Sequence, residues 1–185
     1  MSRTSGRSVQ ETKALIVEAA AHLVRKHGMS VALSDIAAQA GVSKGGLLYH
    51  FPTKEQLMGK LISNQVAHFR REVEQAAEQE EPAPGRLARA YIQVSFAGAA
   101  DEGNLQDLIS LSAQLMTEPG LRAVAQADAE RWRAELFDDG LDPAAVRLIV
   151  AAADGFSSGL LWGGVLNDED LPLLRDQLLE LTHPR

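Results

Sequence analysis

The segment GVSKGGLLYHFPTKEQL, residues 41–57, places two cations and two polar aromatic rings close together. Lys44 and Lys54 carry the charges, and Tyr49 and His50 carry the rings. Side-chain N–H and O–H donors of these kinds hold the phosphate oxygens of a nucleic-acid backbone. The segment therefore predicts a surface that contacts phosphates.

A phosphate-binding loop of the nucleotide-hydrolase kind is one alternative, because Gly41 and Gly46 stand at the G-x-x-x-x-G spacing. That motif continues with Lys and then Ser or Thr, where this chain has Leu47 and Leu48, so the loop is excluded. Gly45 and Gly46 instead favour a helix start kept slim for close approach to a duplex, at a helix-propensity cost of about 1 kcal/mol each.

Metal, redox and catalytic chemistry find little support in the composition. The chain has no cysteine, which excludes disulfides, thiolate metal sites and cysteine nucleophiles. His68 and Glu72 stand four residues apart and could ligate a metal, but no third ligand follows at a useful spacing. We expect no cofactor, no metal and no enzymatic activity. A helical enzyme that uses His68 with acidic residues is the alternative.

Charge is distributed unevenly along the chain. The net charge of the 185 residues is −7, yet residues 1–62 hold eight Lys/Arg against four Asp/Glu, and residues 63–185 hold ten against twenty-one. A basic module joined to an acidic body is expected when only the first part meets a polyanion. Two unrelated surface compositions are the alternative.

No targeting or membrane segment is recognisable in the sequence. Residues 1–6 are polar and lack the apolar region of a signal peptide, and no stretch approaches the roughly 20 apolar residues of a membrane span. We expect a cytoplasmic protein without a membrane partner.

Helix start and stop signals show which elements position the phosphate-contacting segment. Ser8 and Glu11 fit a capping box for a first helix, and Gly28 is placed to end it. Ser34 is predicted to cap a short second helix over residues 35–40.

A third helix follows almost at once. Gly41 stops the second helix and Ser43 can cap residues 44–50, so the connection is short enough to set the two helices at a steep angle. Two short helices joined by a tight turn predict a helix-turn-helix, whose second helix enters the major groove by its N-terminal end.

The rest of the chain also shows helical signals. After Pro52, a capping box of Thr53 and Gln56 begins a long helix that reaches about Gln79. The chain is predicted to be all-α with about nine helices. It comprises an N-terminal three-helix module over residues 8–53 and a helical body over residues 54–185. Further helices are predicted over residues 85–98, 104–117, 119–137, 143–163 and 171–182.

LSDIAAQAGVSKGGLLYHFPTKEQL, residues 33–57, resembles the N-terminal signature of TetR-family transcriptional regulators, and residues 12–32 resemble their first helix. The resemblance rests on an I-A-x-x-A-G-V-S core, a Tyr-His-Phe cluster and a K-E-x-L helix start. It implies an all-α homodimer, usually a repressor, that binds double-stranded operator DNA and lets go when a small-molecule effector binds. Two-fold symmetry then predicts a near-palindromic operator.

The resemblance also implies positions of DNA contact. Leu48 stands where many members carry an aromatic residue, and we assign it no contact. Gly46 joins the set because of its missing side chain. The predicted DNA-binding residues are Ser34, Ser43, Lys44, Gly45, Gly46, Tyr49, His50 and Lys54.

Two stripes in the body predict the dimer interface. Small residues recur every four positions along one helix, which lets a partner helix approach closely, and leucines recur three and four apart on the next. The alternative is that both stripes face the core of their own chain. The predicted interface residues are Gly155, Gly159, Gly163, Leu171, Leu174, Leu178 and Leu181.

An apolar effector pocket is predicted from aromatic, soft and amide side chains of the body, although each can instead be ordinary core. Buried Asp128 would need a cationic effector or an arginine such as Arg131 or Arg89. A ligand-independent DNA-binding or architectural protein is the nearest rival function. The predicted pocket residues are Phe96, Gln114, Met116, Asp128, Trp132, Phe137 and Phe156.

Overall fold

The computed structural model of the protein describes residues 7–99, 119–162, 165–167 and 169–183. Helices and their connections account for all of these residues, without a strand among them, which confirms the all-α prediction. The predicted helix over residues 104–117 lies outside the described residues. The described helices are α1 (Val9–His27), α2 (Leu33–Gln39), α3 (Lys44–His50), α4 (Lys54–Gln79), α5 (Arg86–Ala99), α6 (Pro119–Phe137), α7 (Pro143–Trp162) and α8 (Asp170–Glu180), with a 3₁₀ turn (Gly28–Ser30) after α1.

The chain divides into two units. The first comprises residues 1–65 and 110–125, and the second comprises residues 66–109 and 126–185. Helix α4 contributes to both, because the division falls between Gln65 and Val66. The predicted domain boundary between residues 53 and 54 stays a prediction.

Local capping fixes the start of α1 in the first unit. The Ser8 hydroxyl accepts the Glu11 amide at 3.1 Å, and the Glu11 carboxylate accepts the Ser8 amide at 2.6 Å, so the predicted capping box is confirmed. Gly28 ends the helix at φ +66°, a conformation that glycine adopts without a steric penalty.

Helix α2 begins differently from the prediction. Ala32 is its N-cap residue, in an extended conformation, and no side chain caps the helix. The predicted cap role of Ser34 is therefore wrong, because the helix starts at Leu33 and places Ser34 inside the first turn. Asp35 in the same turn instead stabilises the helix start, because its negative charge interacts favourably with the positive end of the helix dipole.

Helices α1 to α4 each contribute a fully buried apolar side chain to the first unit. These are Ile16 from α1, Ile36 from α2, Leu47 from α3 and Leu57 from α4, each at 0% exposure. Gly41, at φ +66°, makes the turn between α2 and α3. The buried side of α3 is thereby fixed, and Lys44, Gly45 and Tyr49 on its other side are exposed.

The second unit has its own helical core. Buried side chains from α4 to α8 include Val73, Ile92, Leu136, Ile149 and Leu178. Asp139 supports the start of α5, because its carboxylate accepts the Ala88 amide at 2.8 Å and its carbonyl accepts the Gly85 amide at 2.8 Å.

The predicted start of α7 is confirmed. Pro143 is its first residue, the carboxylate of Asp142 accepts the Ala144 amide at 3.2 Å, and Gly140 precedes it at φ +81°. Among the residues that the structure describes, no helix combines the length and apolar character needed to cross a bilayer.

Candidate nucleic-acid interface

The start of α3 faces solvent and is capped from within its own turn. The Ser43 hydroxyl accepts the Gly46 amide at 3.0 Å, which confirms the predicted cap. Ser43, Lys44 and Gly45 are all exposed. Lys44 has no hydrogen-bond or ion-pair partner in the described part of the chain, so its ammonium is available to an external anion.

The two glycines of α3 differ in what surrounds them. A Cβ added at Gly45 would meet only the Ser43 hydroxyl, at 3.9 Å, whereas one added at Gly46 would lie 3.2 Å from that oxygen. The absence of a side chain at position 46 is therefore partly explained by the close approach of the Ser43 hydroxyl. Gly45 has no packing reason of this kind within the described residues, and a helix interior normally favours alanine.

Tyr49 and His50 follow on the same short helix. Tyr49 is 79% exposed, and its ring meets the half-buried His50 ring edge-on, with centroids 5.1 Å apart. The neighbouring Leu47 is fully buried, and Leu48 is half-buried. Helix α3 thus packs against the first unit through Leu47 and exposes the side chain of Tyr49 to solvent.

Lys54 has partners that the sequence did not predict. Its Nζ donates to the carbonyl oxygens of Met29, at 2.6 Å, and Val31, at 2.7 Å. Six of the eight predicted DNA contacts lie on α3 or its cap, while Ser34 lies exposed in α2 and Lys54 begins α4. All eight DNA contacts stay predictions.

Three of the predicted pocket residues share the core of the second unit: Trp132 belongs to it, and Phe96 and Phe137 pack against it. Phe96 and Phe156 stack with ring centroids 5.1 Å apart and planes 8° from parallel. Phe137 instead lies under the guanidinium groups of Arg133 and Arg147. Gln114 and Met116 lie outside the described residues.

Trp132 belongs to a second aromatic cluster. Its ring meets those of Phe69 and Tyr91 edge-on, at centroid distances of 5.9 and 5.3 Å. Trp132 is 8% exposed, and its Nε1 has no hydrogen-bond partner among the described residues. A buried donor of this kind costs free energy until it meets an acceptor.

Arg70 is the centre of the polar network beside this cluster. It is 6% exposed, its carbon Cζ lies 4.0 Å from the Trp132 ring centre, and it bonds both Asp128 and Glu135. The partner of Asp128 is thus Arg70, and the suggestion of Arg131 or Arg89 is wrong.

Those two arginines pair elsewhere. Arg131 bonds Glu135 at 2.8 Å, and Arg89 bonds Glu80 at 2.9 Å. The sequence holds a signal for Arg70 that we missed: it interrupts a stripe of Val66, Val73 and Ala77 at helical spacing. Side chains at such positions share one helix face.

Two carboxyl groups in the second unit have shifted pKa values. Burial opposes ionisation of Glu135, but hydrogen bonds from Arg70 and Arg131 outweigh it and lower the pKa of Glu135. Burial raises the pKa of Asp154, despite the 2.7 Å hydrogen bond that the Tyr91 hydroxyl donates to it. Burial and this neighbouring carboxylate raise the pKa of Tyr91 in turn.

The predicted dimer residues are divided between the core and the surface. Leu178 is buried at 4% exposure, and Leu174 and Leu181 pack against the same core of the second unit. Leu171 is half-buried, whereas Gly155 is exposed with open space where a Cβ would be. Gly159 lies in α7, and Gly163 lies outside the described residues.

Two leucines of α7 and α8 that lie outside the predicted stripes are exposed. Leu148 of α7 is 59% exposed and Leu173 of α8 is 60% exposed. The dimer interface stays a prediction, and these side chains are further candidates for it.

Metal ligation has no cluster to support it in the described ranges, where no three His, Asp or Glu side chains converge. His68 and Glu72 are both exposed, with Nε2 and Oε1 3.6 Å apart. They form an ordinary pair on the surface of α4.

Comparison with known proteins gives matches over both parts of the chain. The family model described as bacterial regulatory proteins, tetR family, matches residues 16–61. The model described as tetracyclin repressor-like, C-terminal domain, matches residues 85–183.

The HTH-type transcriptional regulator CymR of Pseudomonas putida is 29% identical over 99% of this chain and 95% of its own length. The regulator TtgR of the same species is 38% identical over 65 residues, which cover 35% of this chain. In that match, as in the one with ArpR of P. putida, the chain spans 31% of the relative's length.

Solved structures extend the likeness to the whole fold. Multidrug binding protein EbrR complexed with malachite green has a TM-score of 0.70 at 29% identity, over 93% of this chain and 98% of its own. A TetR-family member from Streptomyces coelicolor A3 has a TM-score of 0.73 at 25% identity, over 94% and 99%. Since the second family model alone covers more than half of the sequence, the chain belongs to the TetR family of helix-turn-helix transcriptional regulators.

Proposed function

We propose that the protein is a ligand-responsive repressor, which binds a near-palindromic operator as a homodimer in the cytoplasm and is released by a small-molecule effector. The observation that carries this proposal is the exposed side of α3, where Lys44, Gly45 and Tyr49 face away from the buried Leu47. The proposal includes no catalytic step and no cofactor.

The proposed DNA surface is the exposed side of α3 with its cap. Lys44 supplies an unengaged cation, and Tyr49 supplies a hydroxyl on a ring that is 79% exposed. Ser43 and His50 flank them, and the glycines leave room for the duplex. Ser34, which caps no helix, has an exposed hydroxyl that donates to the Asp35 carboxylate at 3.5 Å and can rotate toward a phosphate. Phosphate contacts of this kind fix the register from which base edges are read.

Lys54 was the eighth predicted contact. Two of the three ammonium donors of this side chain are engaged within the chain, so we leave it out of the proposed phosphate contacts.

A homodimer is proposed through α7 and α8. Leu148 and Leu173 expose large apolar side chains on these helices, and Gly155 leaves α7 without a side chain at one exposed point. A two-fold interface places two copies of α3 in successive major grooves, with half-sites about one helical turn or a multiple apart.

The effector is proposed to bind in the second unit, beside the aromatic cluster of Phe69, Tyr91 and Trp132. The Trp132 Nε1, which has no partner in the part of the chain that the structure describes, offers a hydrogen bond to a ligand acceptor, and aromatic side chains suit a flat ligand. EbrR has been solved with malachite green, with ethidium and with imidazole, so these compounds are the first to test here.

Coupling is proposed to run along α4. This helix carries Lys54 in the first unit and Arg70, which contacts Trp132, in the second. A ligand that binds one conformation of the body more tightly shifts the population toward it, and weakens DNA binding if that conformation separates the recognition helices wrongly.

The test is selection of bound duplexes from a random pool by the purified protein, with Gly45→Leu as the matched control. The wild type should enrich one near-palindromic sequence, and the variant should enrich none although its Ser43 cap is intact. Failure of the wild type to enrich any sequence at low salt would reject the proposal.

A compound that raises the melting temperature and also releases the selected operator separates a ligand-responsive repressor from an architectural protein.

A further inference from the structure

Lys54, the first residue of α4, is hydrogen-bonded to the turn that joins α1 to α2. Lys54 Nζ donates to the Met29 carbonyl at 2.6 Å and to the Val31 carbonyl at 2.7 Å. These oxygens lie 25 and 23 positions earlier in the chain. The ammonium group therefore bridges two elements of the first unit that are far apart in sequence.

The surroundings of this bridge hold its two sides in place. Val31 is 6% exposed, and Leu57 and Met58, on the first turns of α4, are 0% and 3% exposed. On the other side, the Ser30 hydroxyl donates to the His27 carbonyl at 3.3 Å within the 3₁₀ turn. Charged donors in a partly buried setting make stronger hydrogen bonds than neutral ones.

Lys54 and Lys44 consequently differ, although the same segment holds both. Lys44 is exposed, with its ammonium unengaged in the described part of the chain, whereas Lys54 is half-buried with two donors engaged. An ammonium group has three donors, so one donor of Lys54 remains beside the two that the carbonyl oxygens engage.

We propose that Lys54 is a positioning residue: it fastens the start of α4 to the turn between α1 and α2, so that the helix-turn-helix keeps its place on α4. The inference rests on the proposed function for its effect on DNA, but the clamp itself exists without DNA. Operator affinity depends on Lys54 through geometry and not through neutralisation of a phosphate.

Salt dependence separates these two roles. Each phosphate neutralised by a protein cation contributes about 0.9 to the slope of log affinity against log salt concentration for duplex DNA. A positioning residue changes the affinity at every salt concentration and leaves that slope unchanged.

The experiment compares Lys54→Met with two controls in the full-length protein. Lys44→Met removes the proposed phosphate contact, and Lys60→Met removes an exposed charge further along the same helix. The readouts are affinity for the selected operator across a salt series and amide hydrogen exchange over residues 28–32 without DNA. Where Lys54→Met fails to fold, Lys54→Gln, which retains one donor group, takes its place.

Lys54→Met should bind at least tenfold more weakly at each salt concentration, with the wild-type slope and faster exchange over residues 28–32. Lys44→Met should lower the slope by about 1 and leave exchange unchanged. Lys60→Met should change neither quantity.

Unchanged exchange in the Lys54 variant overturns the clamp. A slope lowered by about 1 overturns the claim that Lys54 acts on operator affinity through geometry, because it indicates a neutralised phosphate. If no operator can be selected, faster exchange in the Lys54 variant still supports the clamp while the proposed function fails.

Discussion

The guanidinium of Arg70 lies over the ring of Trp132 and donates to one oxygen of Asp128 through two nitrogens, at 2.9 and 3.1 Å. Arg70 belongs to α4 and both partners belong to α6, so a buried cation joins two helices of the second unit. Such a set is costly to break, because removal of one member leaves the others without their counter-charge.

Arg70→Met should destabilise the second unit. The variant leaves Asp128 and Glu135 without their buried partner, and we expect a loss of about 3 kcal/mol, at the low end for such pairs because Glu135 stays partly exposed. Arg131→Met is the control: its side chain is 60% exposed, and its loss should be below about 1 kcal/mol. Urea unfolding measures both, and equal losses would contradict the buried network.

The lowered pKa of Glu135 should make the stability of the protein depend on pH. Its pKa lies below the ordinary value of 4.5 in the folded chain, so its ionised form adds stability that is present above pH 4.5 and lost as the pH falls through the folded pKa. Glu135→Gln should reduce the difference in unfolding free energy between neutral and acidic pH. Curves for wild type and variant that run parallel through this range would refute the assignment.

The two serines of the helix-turn-helix should respond differently to alanine. Ser43→Ala removes the observed cap of α3 and should cost about 1 kcal/mol of stability. Ser34→Ala should cost less than about 0.5 kcal/mol, as surface substitutions usually do, because no cap is lost. Thermal unfolding of both variants is the measurement, and the reverse order would reinstate Ser34 as a cap.

Gly45 should show opposite effects on stability and binding. Gly45→Ala should raise stability by up to about 1 kcal/mol through helix propensity, since its Cβ meets only an oxygen at 3.9 Å, and should weaken operator binding. Gly46→Ala is the comparison, because its Cβ would crowd the Ser43 hydroxyl at 3.2 Å and offset that gain. Unaltered affinity in Gly45→Ala would mean that this side of α3 does not approach DNA.

What could be predicted from sequence was local. The caps at Ser8 and Ser43 each join residues three positions apart, so residue type and spacing sufficed to predict them. The predicted cap at Ser34 was wrong because α2 starts earlier, after the extended Ala32. Such shifts of helix ends depend on how the preceding turn packs.

The contacts that were missed are distant in sequence. Arg70 and Asp128 are 58 positions apart, and Lys54 meets carbonyls 23 and 25 positions before it. Backbone carbonyls carry no residue signature, so no pattern could have revealed the partners of Lys54. The position of Arg70 in the apolar stripe of α4 could be recognised from sequence. Its partner Asp128 could not, because that contact depends on how α4 packs against α6.

Sequence readout by α3 is tested by the affinity of the wild-type protein for its selected operator and for a scrambled duplex of equal length, at one salt concentration. Sequence readout by α3 predicts operator binding tighter by at least about a thousandfold. Equal affinity for the two duplexes would contradict it, because phosphate contacts alone do not distinguish sequences.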